Sequence, residues 1–94
     1  MTDPSRTPVL VIEADHQVLK LLTAVLSAAG YQVLGAPTAG QALELKQKGA
    51  VPVRLVLTDD PSGRSAFEPV HKVLHLEKPF RPAGLLKAVR QALD

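Results

Sequence analysis

The sequence contains no cysteine, no tryptophan and only three aromatic residues, Tyr31, Phe67 and Phe80. Without cysteine there is no disulfide and no thiolate nucleophile, and the common structural zinc sites, which need sulfur ligands, are excluded. So few aromatics provide no platform for stacking bases. The 11 lysines and arginines are scattered and leave a net charge of +2, which is not the clustered basic stripe of a nucleic-acid binder. No apolar run approaches the ~18 residues of a membrane span. The first, VLVI, follows the polar start MTDPSRTP, which does not read as a signal peptide. These absences predict a cytoplasmic protein that engages neither nucleic acid nor membrane. No Gly-x-x-x-x-Gly spacing is followed by Lys-Ser/Thr, so no nucleotide loop is supported. His71 and His75 stand four apart and His16 follows Asp15, which is not a metal-ligand pattern on a strand neighbourhood.

What the sequence does contain is an ordered alternation of apolar patterns. Its 94 residues, 46% hydrophobic and 21% charged, suit one domain with one modest core. Residues 1–7 read as a flexible tail and 8–94 as the domain. The run VLVIE (9–13) is a strand covered on both faces. Asp15 caps a helix carrying Val18, Leu22, Val25, Leu26 and Ala29 on one face, with Gly30 as its stop. YQVLG is a second strand, cut off by Pro37. Thr38 and Gln41 form a capping-box pattern before a second helix closed by Gly49. VRLVLT and KVLHL are the third and fourth strands. Pro82 sits in the first turn of a terminal helix with Leu85, Leu86, Val89 and Leu93 at helical spacing.

Strands alternating with helices imply an α/β domain with a parallel sheet, because parallel neighbours need crossovers. In such sheets the chemistry gathers at the carboxyl ends of the strands. Here those ends carry Glu13, the pair Asp59 and Asp60, and Lys78. Two or three acids and one lysine should therefore meet at one edge. Two carboxylates ~5 Å apart repel by roughly 3 kcal/mol at an effective dielectric near 20, and a lysine between them removes that cost. The bland reading is that Asp59 and Asp60 before Pro61 simply start a turn.

VLVIEAD, AAGYQVLGAPTAGQALEL, LVLTD and the final KPF with its helix, in that order, resemble the receiver domain of bacterial two-component response regulators. The resemblance spans residues 8–93 and implies a flavodoxin-like fold. It also implies that Asp59 is the position of the phosphoacceptor, that an acidic pair after the first strand holds magnesium, and that Lys78 contacts the phosphoryl group. A histidine kinase or another signalling protein would be the partner, and the Lys78-Pro79 peptide would be cis.

Three departures qualify this. The acidic pair is Glu13 and Ala14, so the second carboxylate is missing; a metal site of Glu13 and Asp59 is weak and expected to be empty, with no cofactor. Only 18 residues separate Asp59 from Lys78, where two helices and a strand need roughly 35 to 40. The family's third helix, fourth strand and fourth helix should be largely missing, and with them the hydroxyl that senses phosphate. Ser62, Ser65 and Thr58 are the nearby hydroxyls, and none ends a candidate strand later than the third. No effector domain follows in this sequence. The expected sheet has about four strands in the order 2-1-3-4 with three main helices. DPSG reads as a tight turn, and Pro69 limits RSAFEP to about one helical turn.

Three functions compete. The favoured one is a non-enzymatic pseudo-receiver that acts through protein interaction without phosphorylation. The second is a minimal receiver still phosphorylated on Asp59, and the third a small-ligand sensor using the vacated pocket. With one helix alone on the second sheet face, about half of that face should be bare. Phe67, Val70, Val73, Leu74 and Leu76 would then form an interface for a homodimer or an obligate partner.

Overall fold

Each apolar run becomes a strand and each amphipathic stretch a helix, in strict alternation: β1 (Pro8–Ile12), α1 (His16–Ala28), β2 (Gln32–Ala36), α2 (Ala39–Lys48), β3 (Leu55–Thr58), α3 (Pro61–Phe67), β4 (Val73–His75) and α4 (Pro82–Leu93). The computed structural model describes residues 7–49, 52–68, 71–76, 78 and 80–93. Pro79, with the peptide expected to be cis, and Val70, expected at an interface, lie outside the described residues, as does most of the N-terminal tail. The four strands form one parallel sheet in the order β2-β1-β3-β4. This is the order that the sequence predicts.

The two central strands are apolar on both faces because both faces are covered. Val9 and Val11 of β1 and Leu55 and Leu57 of β3 pack with Leu22 and Leu26 of α1 and Leu85 and Val89 of α4. Residues of the opposite parity, Leu10, Ile12 and Val56, pack with Ala42 of α2 and Phe67 of α3. The helix ends follow the local signals. Asp15 Oδ1 accepts the Gln17 and Val18 N–H groups at 2.9 and 3.3 Å, and Thr38 Oγ1 accepts that of Gln41 at 3.1 Å. After α1, Gly30 takes φ 98°, and the Tyr31 N–H donates to the Leu26 carbonyl at 3.1 Å, which closes the helix end.

Four local expectations are corrected. Asp60 and Pro61 do not make a tight turn: Asp60 Oδ1 accepts the Ser62 N–H at 2.9 Å, and Pro61 opens a helix of 7 residues. Proline suits the first helical turn, and a proline at position 69 restrains only what lies next to it, so Pro61–Phe67 is free to coil. Secondly, β4 is 3 residues long rather than five, although the Val56 N–H still reaches the Lys72 carbonyl and the Leu76 N–H that of Thr58, both at 2.9 Å. Thirdly, the α2 side of the sheet is not half bare. Phe67 is fully buried on it, and the large apolar residues exposed among the described residues are Leu21 and Leu45, both outside the segment expected to be uncovered. Lastly, Phe67 and Leu76, expected at an interface, are core residues. Gly63 permits the coverage: a Cβ there would stand 3.0 Å from Thr58 Oγ1 and 3.1 Å from Ile12 Cδ1, so α3 lies directly on the sheet.

Candidate functional site

The carboxyl ends of β1 and β3 and the residue three past the end of β4 bring Glu13, Asp59 and Lys78 together. Glu13 is an acid at the end of a fully covered strand and is itself buried, 3% exposed. Its Oε1 accepts the Asp15 N–H at 3.1 Å and the Lys78 ammonium at 2.6 Å. Its Oε2 is buried with no hydrogen-bond partner among the described residues. Lys78 Nζ also stands 3.1 Å from Asp59 Oδ2. The ammonium thus bridges the two acids, one buried and one about a third exposed.

The energetics follow from that asymmetry. A buried carboxylate without a counter-ion is costly, and Lys78 supplies one while keeping part of its surface in water. The hydrogen bond to Glu13, then that to Asp59, holds the Lys78 ammonium above the usual lysine pKa against the opposing effect of burial. The site is cationically filled and carries a formal charge of −1.

Asp59 also opens on a cavity of about 220 Å³ that is lined by Thr58, Asp60, Pro61, Arg64 and His75. Thr58, the last residue of the run VRLVLT, is the last residue of β3; it is buried, and its hydroxyl accepts the Asp60 N–H at 3.0 Å. No local signal in the sequence places Arg64 and His75 beside Asp59. Reading Asp-Pro as a helix start would have indicated that Arg64, four residues after Asp60, lies one turn along α3. Asp15 takes no part in the acid cluster, since its carboxylate caps α1. Val73 and Leu74 are half-buried on β4.

Glu13 and Asp59 are the side chains that could hold a divalent cation. Magnesium demands near-octahedral oxygen coordination. Ala14 offers no side-chain oxygen, and the Lys78 ammonium already contacts both acids, so the donor set does not fit that ion. Among the described residues no three His, Asp or Glu side chains are grouped to hold a metal, and no helix is long and apolar enough to cross a membrane.

No protein-family model matches the sequence, and no curated protein does. Solved structures do match. A response regulator from Thermotoga maritima superposes with a TM-score of 0.75 at 18% identity, over 94% of this chain and 98% of its own. A response regulator receiver protein from Sinorhizobium medicae gives 0.71 at 21% identity, with 97% of each chain covered. The chemotaxis protein CheY4 of Vibrio cholerae gives 0.69 at 23% identity, covering 95% of this chain and 100% of its own. The chain has the receiver fold. It is a compact form of that receiver fold, with four strands: β4 pairs directly with β3 and then leads through Lys78 into the last helix. Lys78 therefore reaches Asp59 from the adjacent strand.

Proposed function

We propose that the protein is a pseudo-receiver of two-component signalling: a non-enzymatic module that binds another signalling protein without being phosphorylated. The receiver fold supports the signalling role. The observation that carries the rest is Lys78 Nζ between Glu13 at 2.6 Å and Asp59 at 3.1 Å, beside an alanine at position 14. Phosphoryl transfer to a carboxylate gathers negative charge that bound cations must offset. Here one ammonium already serves two carboxylates, and magnesium has no part in the proposed function. The partner is a histidine kinase or another signalling protein, met in the cytoplasm of a bacterium. A symmetric homodimer through a bare sheet face loses its footing, because Phe67 covers that face.

A second reading, a minimal receiver phosphorylated on Asp59, is favoured by one observation: the Asp59 side chain is 35% exposed and opens on a cavity. Nothing positive supports a small-ligand sensor. Incubation with acetyl phosphate and magnesium, read by intact mass, separates the first two. The expected result is no mass gain under conditions that modify an ordinary receiver. A gain of one phosphoryl group that vanishes in Asp59→Asn overturns the proposal.

A further inference from the structure

The β4 edge of the sheet is open, and its geometry is specific. In a parallel pair, alternate residues of a strand turn both backbone groups toward the neighbour. The Val56 N–H bonds to the Lys72 carbonyl and the Leu76 N–H to the Thr58 carbonyl, so Leu74 faces β3. Val73 and His75 consequently direct their N–H and C=O groups away from β3, toward the open edge. Alongside runs a groove of about 500 Å³ between β4 and α4, walled by Leu74, Leu76, Phe80 and Leu85, with Arg81 on its rim. A row of unused backbone groups beside an apolar groove is what an added strand requires.

Charge identifies the occupant. The last 24 residues hold five of the 11 lysines and arginines but two of the nine acids. Arg81 is exposed, and among the described residues no acidic side chain lines the groove. Two copies paired edge to edge would bring two terminal segments of the same net positive charge together, which is unfavourable. We infer that β4 accepts an extended, acid-bearing segment of a partner protein as a fifth strand, its apolar side chains in the β4–α4 groove and a carboxylate on Arg81. This rests on the interaction-module reading above and names the kind of partner it needs.

The probe is a short blocked peptide of alternating valine and serine that ends in two glutamates, compared with a twin that ends in two lysines. Binding is read by titration and by amide hydrogen exchange. The glutamate peptide should bind saturably, slow exchange at the Val73 and His75 amides, weaken with salt, and bind about tenfold better than the lysine twin. Arg81→Glu, an exposed position whose melting temperature should not move, should weaken the glutamate peptide by about tenfold and favour the twin. Equal binding of the two peptides, protection away from β4, or no binding overturns the inference. So does self-association of the peptide-free chain that protects the same two amides, which would make a second copy the occupant. The acetyl phosphate experiment reads Asp59 independently: an unphosphorylated chain that ignores both peptides keeps the pseudo-receiver reading and loses this one.

Discussion

The two faces of the sheet are built to different standards. On one, α1 and α4, with 13 and 12 residues, each contribute two buried apolar side chains, Leu22 with Leu26 and Leu85 with Val89. On the other, α2 and α3, with 10 and 7 residues, contribute Ala42 and Phe67, with Gly63 pressed against Thr58. The first face distributes its burial over repeated helical positions. The second concentrates it in one ring, with Lys46 Nζ 5.8 Å from the ring centroid and the His71 imidazole edge-on at 5.8 Å. A cation and an imidazole thus finish a surface that the shortened chain has too few helical residues to cover. The lesson is that a sheet face can be closed by one large residue where a helix has been lost, at the cost of depending on it.

The sharpest way to break this comparison is Phe67→Ala. Emptying a fully buried aromatic site should lower stability by about 3–5 kcal/mol, a large share of what a small domain has. Urea unfolding measures the loss, and exposure of the α2–α3 face should bring apolar-dye binding. Leu26→Ala on the opposite face should cost about 2–5 kcal/mol without dye binding to the native state, because Leu22 and α4 remain in place. A loss below about 1.5 kcal/mol for Phe67→Ala, half the expected minimum, would show that α2 covers the face unaided.

Next in size is Lys78→Met, which leaves the buried Glu13 carboxylate without its cation at the edge shared by both faces. Removing one partner of a buried pair costs about 3–5 kcal/mol, and the partial exposure of Lys78 reduces this to about 2–3. The companion Glu13→Gln in the same background should recover part of the loss, since the orphaned charge goes with it. If the double variant is no more stable than Lys78→Met, the ammonium is not what holds Glu13 in place.

The smallest effect distinguishes the faces by pH. Burial, and secondarily the Lys46 charge, lower the His71 pKa below its ordinary value, and among the described residues its buried Nδ1 has no partner. A folded-state pKa below the unfolded one means that the unfolded chain binds the proton more readily. The contribution is fully present above the unfolded pKa, near 6.5, and is lost as pH falls from there through the lowered folded value. Stability by urea titration should therefore decline below about pH 6.5, and the His71→Leu variant should lose that part of the slope. An unchanged slope would show that His71 is not the source of the acid sensitivity.

These results also mark what was legible before folding. Period-3.6 patterns and caps at Asp15, Thr38 and Gly30 locate α1 and α2, and the continuous apolar runs locate β1 and β3, because these signals act within a few residues. The receiver fold follows from their order. The pattern Asp60–Pro61 was read as a turn rather than a cap, since the same residues start both and only the coiling of the next seven decides between them. Phe67 reads in the sequence as covering only part of the second face and serving an interface; its full burial depends on Leu10, Ile12, Val56 and Ala42, which come from three other elements.

The sequence by itself therefore determined the alternation of strands and helices and the meeting of acids with a lysine at one edge, both consequences of local periodicity and strand-end chemistry, while the parallel order β2-β1-β3-β4 followed from its resemblance to receiver domains. Only the tertiary structure decided that Lys78 spans Glu13 and Asp59 at once, that Phe67 closes the second face, and that Val73 and His75 turn their backbone outward. Those outcomes depend on distances and register between segments far apart in the chain, and the apolar or charged character of a residue does not encode which neighbour it will meet.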